Sequence, residues 1–261
     1  MFGESDFKLL AVLGHEFKTP LAIIYGSTQL ISQAYRTNHM DTLDLDKHIS
    51  YILDNVLKLT RISNNISTLA NYGNTNPKWT QIDLPEFIER IASEIKKEMD
   101  MDLEFEVKVL GESSLLACDC IAMEHVFINL LINAVQYNCR KPQIKVTICD
   151  RNDAVEIVFK DNGIGIPKDS FELMFEPFKR GDASGQLNSS GSGLGLFLVK
   201  SFIDKHNGTI DVKSVVKKGT TFTITLPRKQ EGVIGTLNEC GIDLRQFQEI
   251  LELYLYKYKV Q

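Results

Sequence analysis

Apolar residues near the start of the chain recur every three or four positions. From Phe7 they run Leu10, Gly14, Phe17, Leu21, Ile24, Thr28, Ile31 and Tyr35. A second set runs Leu45, Ile49, Ile52, Val56, Leu59, Ser63, Ile66 and Ala70. Both have the heptad spacing of helices that pack along their length. The stretch between them, 36–44, is polar, and two seams joined by a short polar loop make an antiparallel helical hairpin. Each helix also carries apolar residues off its seam, among them Ile23, Leu53, Leu57 and Leu69. Two helices cannot bury two stripes each, but two paired hairpins can. The pattern predicts a homodimer through a four-helix bundle.

The segment 71–77, rich in Asn, Gly and Pro, reads as a linker. Beyond it the periodicity changes. Leu84 to Met99 is helical, with Phe87, Ile88, Ile91 and Ile95 on one face. Leu103, Phe105, Val107 and Val109 alternate as a strand. Asp119 to Tyr137 is a strong helix with Asp119 as its N-cap. Ile144 to Ile148 and Val155 to Phe159 form one hairpin, and 211–215 with 222–226 form a second around Lys217-Lys218-Gly219. Between the hairpins, Pro167 to Ser192 is loop-rich and Leu194 to His206 helical. Mixed elements of this kind predict helices on one face of a largely antiparallel sheet. In the tail, Leu244, Phe247, Leu251, Tyr254 and Tyr258 share one helical face.

Composition narrows the class. The 261 residues correspond to roughly 1.7 domains at about 150 residues each. With 29 basic and 34 acidic residues the net charge is −5, which gives no electrostatic reason to hold nucleic acid. The longest nearly apolar stretch, His125 to Tyr137, is too short to span a bilayer, and Met1 opens no signal-like leader. The five cysteines follow no zinc spacing; they read as small apolar residues in a reducing cytosol.

Two segments carry candidate chemistry. The first is Leu13 to Leu21, LGHEFKTPL, on the first helix. Pro20 cannot donate to the carbonyl of Glu16, and such a proline costs about 3 kcal/mol in a helix interior, so a bend just past His15 is expected. Glu16 can take a proton from the adjacent imidazole, and Thr19, one turn on, can orient a water beside it. The second comprises a helix with Asn129 and Asn133 one turn apart, then Asp161-Asn-Gly-Ile-Gly-Ile166, then Gly191-Ser-Gly-Leu-Gly-Leu196 opening a helix. Amides on an apolar helix are costly unless they bind something. Glycines 163 and 165 allow tight turns beside a flat ligand, and glycines before a helix let amide N–H groups face phosphate.

The first segment resembles the phospho-acceptor box of sensor histidine kinases, H-[DE]-x-[KR]-[TN]-P-L, at His15, Glu16, Lys18, Thr19, Pro20 and Leu21. The others, with FEPFKRGD at 175–182, HNGTI at 206–210 and GTTFTITLP at 219–227, resemble that family's ATP-binding domain. That domain is shared with type II topoisomerases, mismatch-repair ATPases and a heat-shock chaperone. The resemblance covers about Phe7 to Pro227, in family order. It implies a multidomain protein: residues 1–72 a dimerising phosphotransfer hairpin, 73–79 a hinge, 80–228 an α/β-sandwich ATP-binding domain and 229–261 a helical extension.

It also implies roles. His15 would be phosphorylated, Glu16 its base, and Thr19 would serve phosphatase activity toward a response-regulator receiver domain. Asn133 would coordinate the Mg2+ that bridges the ATP phosphates, with Asn129 in support. Asp161 would accept from the adenine amino group, with Thr221 nearby. Tyr137, Gly163, Gly165 and Ile166 would line the pocket. Arg180 would meet phosphate, and Gly191, Ser192, Gly193, Leu194, Gly195 and Leu196 would wrap the phosphates. Gln136 departs from the family's usual basic residue and removes one charged phosphate contact; His125 replaces a common Gln. An ATPase clamp of the broader class needs a Glu four residues before the metal Asn, where this chain has Asn129. The remaining alternative is a phosphatase-biased or scaffold protein with weak kinase activity. The expected location is cytoplasmic, as a whole protein or as the cytoplasmic part of a membrane-anchored kinase.

Overall fold

The structure is a computed structural model that describes residues 4–39, 43–73, 76–99, 102–112, 114–138, 140–179 and 193–228. Two helices, α1 (Glu4–Arg36) and α2 (Leu45–Gly73), form the antiparallel hairpin. α1 continues through Pro20.

The seam inside the hairpin is half displaced from the expected one. Phe17, Ile24 and Ile31 are partly buried as expected, but the alternating positions are Pro20, Ser27 and Ala34, all buried. Leu21, Thr28 and Tyr35 are exposed instead, Leu21 at 52% and Tyr35 at 78%. Gly14 lies off the seam, with open space where a Cβ would stand. α2 shows the same one-residue shift: Ile62 is buried, while Ile49, Val56 and Ser63 are exposed. Small residues let α1 and α2 approach, and the large apolar ones are left to face outward.

The second domain is built on two sheets. β1 (Trp79–Asp83) and β3 (Leu115–Asp119) form a short antiparallel ribbon that the sequence pattern did not reveal. β2 (Glu104–Leu110), β4 (Gln143–Arg151), β5 (Ala154–Asp161), β6 (Thr209–Val215) and β7 (Gly219–Pro227) form a five-stranded sheet in the order β2-β4-β5-β7-β6. The β2–β4 pair is parallel and the others antiparallel. α3 (Leu84–Met99), α4 (Cys120–Gln136) and α5 (Gly195–Lys205) supply the helical side of the core. Phe127 stands at its centre, between Phe87 and Phe159 with ring centroids 5.9 and 5.6 Å away.

α4 has the expected N-cap: Asp119 Oδ1 accepts from the Ala122 N–H at 3.2 Å. α2 runs through Gly73 and β1 begins at Trp79. Cys118 and Cys149 are free and buried, but Cys120 is disulfide-bonded, so the apolar-residue reading does not hold there. The tail 229–261 lies outside the described residues. Among the described residues no helix is long and apolar enough to cross a membrane.

Candidate functional site

His15 is exposed on α1. It shares a cavity of about 530 Å³ with Lys18, Thr19, Ala22 and Ile23. The Thr19 hydroxyl donates to the His15 carbonyl at 3.3 Å, one turn back. Glu16 turns toward α2, where its Oε2 stands 3.4 Å from the Lys58 ammonium. Pro20 is buried and has no N–H of its own to donate.

The second constellation is assembled by α4, the loop after β5, the start of α5 and the β6–β7 turn. The two α4 amides differ sharply. Asn129 is buried, donates to the His125 carbonyl at 2.8 Å, and lies against Gly195, where an added Cβ would come 2.5 Å from its Oδ1. Asn133, one turn on, is partly exposed, and its side chain makes no hydrogen bond among the described residues. Tyr137 closes α4 as its C-cap, and its carbonyl accepts from the Ile164 N–H at 2.9 Å. Gln136 is partly buried beside it.

Asp161 ends β5. Its Oδ1 accepts from the Gly163 N–H at 2.8 Å and the Thr220 N–H at 3.1 Å. Burial raises its pKa, and those two donors oppose the rise. A Cβ on Gly163 would come 2.7 Å from the Tyr137 carbonyl oxygen and 2.9 Å from Asp161 Oδ1. Gly165 has φ +73 and packs on the Val215 backbone, so glycine is required there on two counts. The Ile166 N–H donates to the Ser214 hydroxyl at 2.8 Å, which also meets the Gly219 carbonyl and the Thr220 hydroxyl.

The threonine beside Asp161 is therefore Thr220, which is buried. Thr221, the expected neighbour, is one residue further along β7, in register with Lys160 and Lys213. Ser214 and Thr220 went unrecognised in the sequence; strand alternation from Phe222 would have pointed inward at position 220.

α5 starts at Gly195 with Leu194 before it, and the Leu194 side chain offers no cap. A glycine-led helix start is a place where backbone N–H groups can meet an anion. Leu194 is buried, and Leu196 and Ile166 pack on the core. Gly193, at φ +71, has its carbonyl bonded to the Phe178 N–H at 2.9 Å. Arg180, Gly191 and Ser192 lie outside the described residues.

A third cluster had no counterpart in the sequence reading. His206, fully buried, accepts the Asp119 N–H at Nε2 (3.0 Å), while its Nδ1 stands 2.7 Å from the Phe202 carbonyl. That pairing fixes a neutral ring protonated at Nδ1, and burial lowers its pKa. Trp79 meets it edge-on at 5.1 Å, and the Lys78 N–H donates to Asp119 Oδ2 at 2.8 Å. The cluster ties the ribbon, the start of α4 and the end of α5 together.

A sheet backed by helices, with paired amides, a turn-bound aspartate and a glycine-led helix, defines a nucleotide-binding ATPase domain. A phospho-acceptor helix precedes it. Residues 118–230 match the histidine kinase-, DNA gyrase B- and HSP90-like ATPase family, and residues 7–75 match the His Kinase A (phospho-acceptor) domain. The chain belongs to the sensor histidine kinases of two-component systems.

Among its relatives, the sensor protein SrrB of Staphylococcus aureus is 30% identical over 232 residues, 87% of this chain and 38% of SrrB. The chain thus spans well under half the length of the curated relatives it matches. The catalytic domain of the histidine kinase ThkA is 25% identical with a TM-score of 0.51, covering 58% of this chain and 99% of that one. ThkA in complex with the response regulator TrrA is 23% identical, with a TM-score of 0.64 over 86% of this chain and 62% of that one, a likeness of fold.

Proposed function

We propose that this chain is the kinase core of a larger sensor protein. ATP held in the second domain gives its γ-phosphoryl to His15, and an aspartate of a response-regulator receiver domain then takes it. The observation that carries the reading is the pairing of an exposed His15, next to Glu16, with an ATPase domain in the same chain.

Asp161 is suited to the adenine edge. Its Oδ1 is fixed by two backbone donors, and its Oδ2 takes no hydrogen bond among the described residues. The glycines at 163 and 165 keep the neighbouring backbone too close for a side chain. The start of α5 offers N–H groups to phosphate. Asn133 has an amide oxygen available, the donor type Mg2+ accepts alongside phosphate oxygens and water. Among the described residues no group of three or more His, Cys, Asp or Glu could hold a metal, so the ion would arrive with the nucleotide. When bound it neutralises charge on the phosphates. Asn129 would support Asn133 and the start of α5 rather than touch the metal, and Tyr137 and Gln136 would flank the pocket. Arg180, Gly191 and Ser192 are retained as phosphate-side candidates on sequence grounds.

At the acceptor, Glu16 serves as base for His15. Thr19 serves the reverse reaction by orienting water at the regulator's phosphoaspartate, which makes the chain a phosphatase as well. The exposed apolar stripe on both hairpin helices supports a homodimer. The segment's place is the cytoplasm, where receiver domains and ATP are available.

The test is incubation with γ-labelled ATP and magnesium. Label on wild type and none on His15→Ala is the expected result; label on both would exclude His15 as acceptor.

A further inference from the structure

The two domains meet chiefly where the tail of α2 packs on α5. Tyr72, in the last turn of α2, stacks edge-on against Phe202 with centroids 4.5 Å apart. The Lys205 ammonium donates to the Tyr72 carbonyl, one of the terminal acceptors of α2, and lies 4.7 Å from the Tyr72 ring centroid. Leu69, one turn earlier, packs on the same core.

This contact has one flaw. The Tyr72 hydroxyl is buried with no hydrogen-bond partner. Its neighbour Asp119 has one oxygen bonded to the Ala122 N–H and the other to the Lys78 N–H. Burial, then the Asp119 charge, then Cys118 raise the phenol's pKa, so it remains a neutral O–H. An unmet buried hydroxyl weakens whatever contact buries it.

The contact is also distant from the acceptor. Lys58 marks the level of α2 opposite Glu16 and His15. Tyr72 is fourteen residues further along α2, about 21 Å at the rise of an α-helix. The nucleotide domain is therefore held at the far end of the hairpin, while the chemistry proposed above happens at the level of Lys58.

We infer that Tyr72 and Lys205 are positioning residues that clasp the nucleotide domain away from His15, and that the unpaired Tyr72 hydroxyl keeps the clasp weak enough to open. The inference rests on the kinase reading for its effect on rate but not for the clasp itself. Removing the hydroxyl should tighten the clasp, and removing the ring should release it. Neither residue lines the nucleotide pocket, so ATP affinity should not follow.

The experiment compares wild type, Tyr72→Phe, Tyr72→Ala and Lys205→Met in the full chain. Two quantities are read: autophosphorylation kcat with KM for ATP, and amide hydrogen exchange across 70–73, whose last helical turn Lys205 caps. Tyr72→Phe should slow exchange there and lower kcat roughly fivefold, the scale of one unmet hydroxyl. Tyr72→Ala and Lys205→Met should speed exchange and raise kcat, all with KM for ATP unchanged. Faster exchange or a higher kcat in Tyr72→Phe overturns the inference, as does a lower kcat in both release variants. If no variant incorporates phosphate on His15, the kinase reading fails, and the exchange measurement still decides whether the clasp exists.

Discussion

The hairpin and the nucleotide domain solve burial in different ways. Among the described residues of the hairpin, only Pro20, Ala34 and Ile62 are buried apolar side chains, while ten large apolar ones are exposed: Val12, Leu21, Ile23, Tyr25, Leu30, Tyr35, Ile49, Tyr51, Leu53 and Val56. The nucleotide domain is about twice as long, encloses a continuous core, and exposes six. One unit is complete in a single chain, and the other leaves an apolar stripe open, the face proposed above for a second copy. The difference matches their work. In the proposed function the nucleotide domain has to hold its pocket fixed, whereas the hairpin has to present an accessible histidine.

Core truncation should separate the two most strongly. Phe127→Ala removes the ring between Phe87 and Phe159 and should cost about 3–5 kcal/mol of nucleotide-domain stability. Denaturant unfolding should show that loss while the hairpin still associates. A hairpin that dissociates in step would mean the two units do not fold separately.

The converse perturbation places charge on the exposed stripe. Leu30→Glu with Val56→Glu should weaken self-association at least about tenfold, at roughly 1.5–3 kcal/mol per large apolar side chain denied burial. Sedimentation should then report monomers that keep wild-type ATP affinity. Unchanged association would mean that this stripe is not the dimer face.

A smaller effect concerns pH and the nucleotide domain alone. His125 lies against Phe202, and burial lowers its pKa to about 4. The unfolded chain binds a proton near pH 6.5 that the folded one refuses, so stability falls as pH drops from about 6.5 toward 4. His206 is lowered too and acts in the same sense. His125→Gln should recover on the order of 1 kcal/mol of the loss between pH 7 and 5. Identical thermal midpoints for variant and wild type at pH 5 would remove His125 from the account.

Much of this comparison was legible in the amino-acid pattern, because long periodic segments declare their type. The hairpin, the four longer strands after Gln143, α4 with its Asp119 cap, and the order of the glycine-rich turns all follow from spacing and turn chemistry. The seam was misplaced by one residue at alternate positions because Leu21 and Tyr35 are larger and more apolar than Pro20, Ser27 and Ala34. Hydrophobicity marks a face left open to a partner as readily as one buried inside the hairpin, and the pattern of one chain cannot tell them apart. The β1–β3 ribbon was missed because five-residue strands, here separated by α3 and β2, carry little periodic signal. Thr220 and His206 escaped for another reason: each is defined by partners far along the chain, Asp161 and Asp119, that only the tertiary fold brings near.

The central claim is that nucleotide binding and phosphoryl acceptance reside in different units of one chain. It is tested most directly by measuring both in His15→Ala. Labelled ATP should bind with wild-type Kd, and no acid-labile, base-stable phosphate should appear on the protein. Such phosphate persisting in His15→Ala would contradict the account.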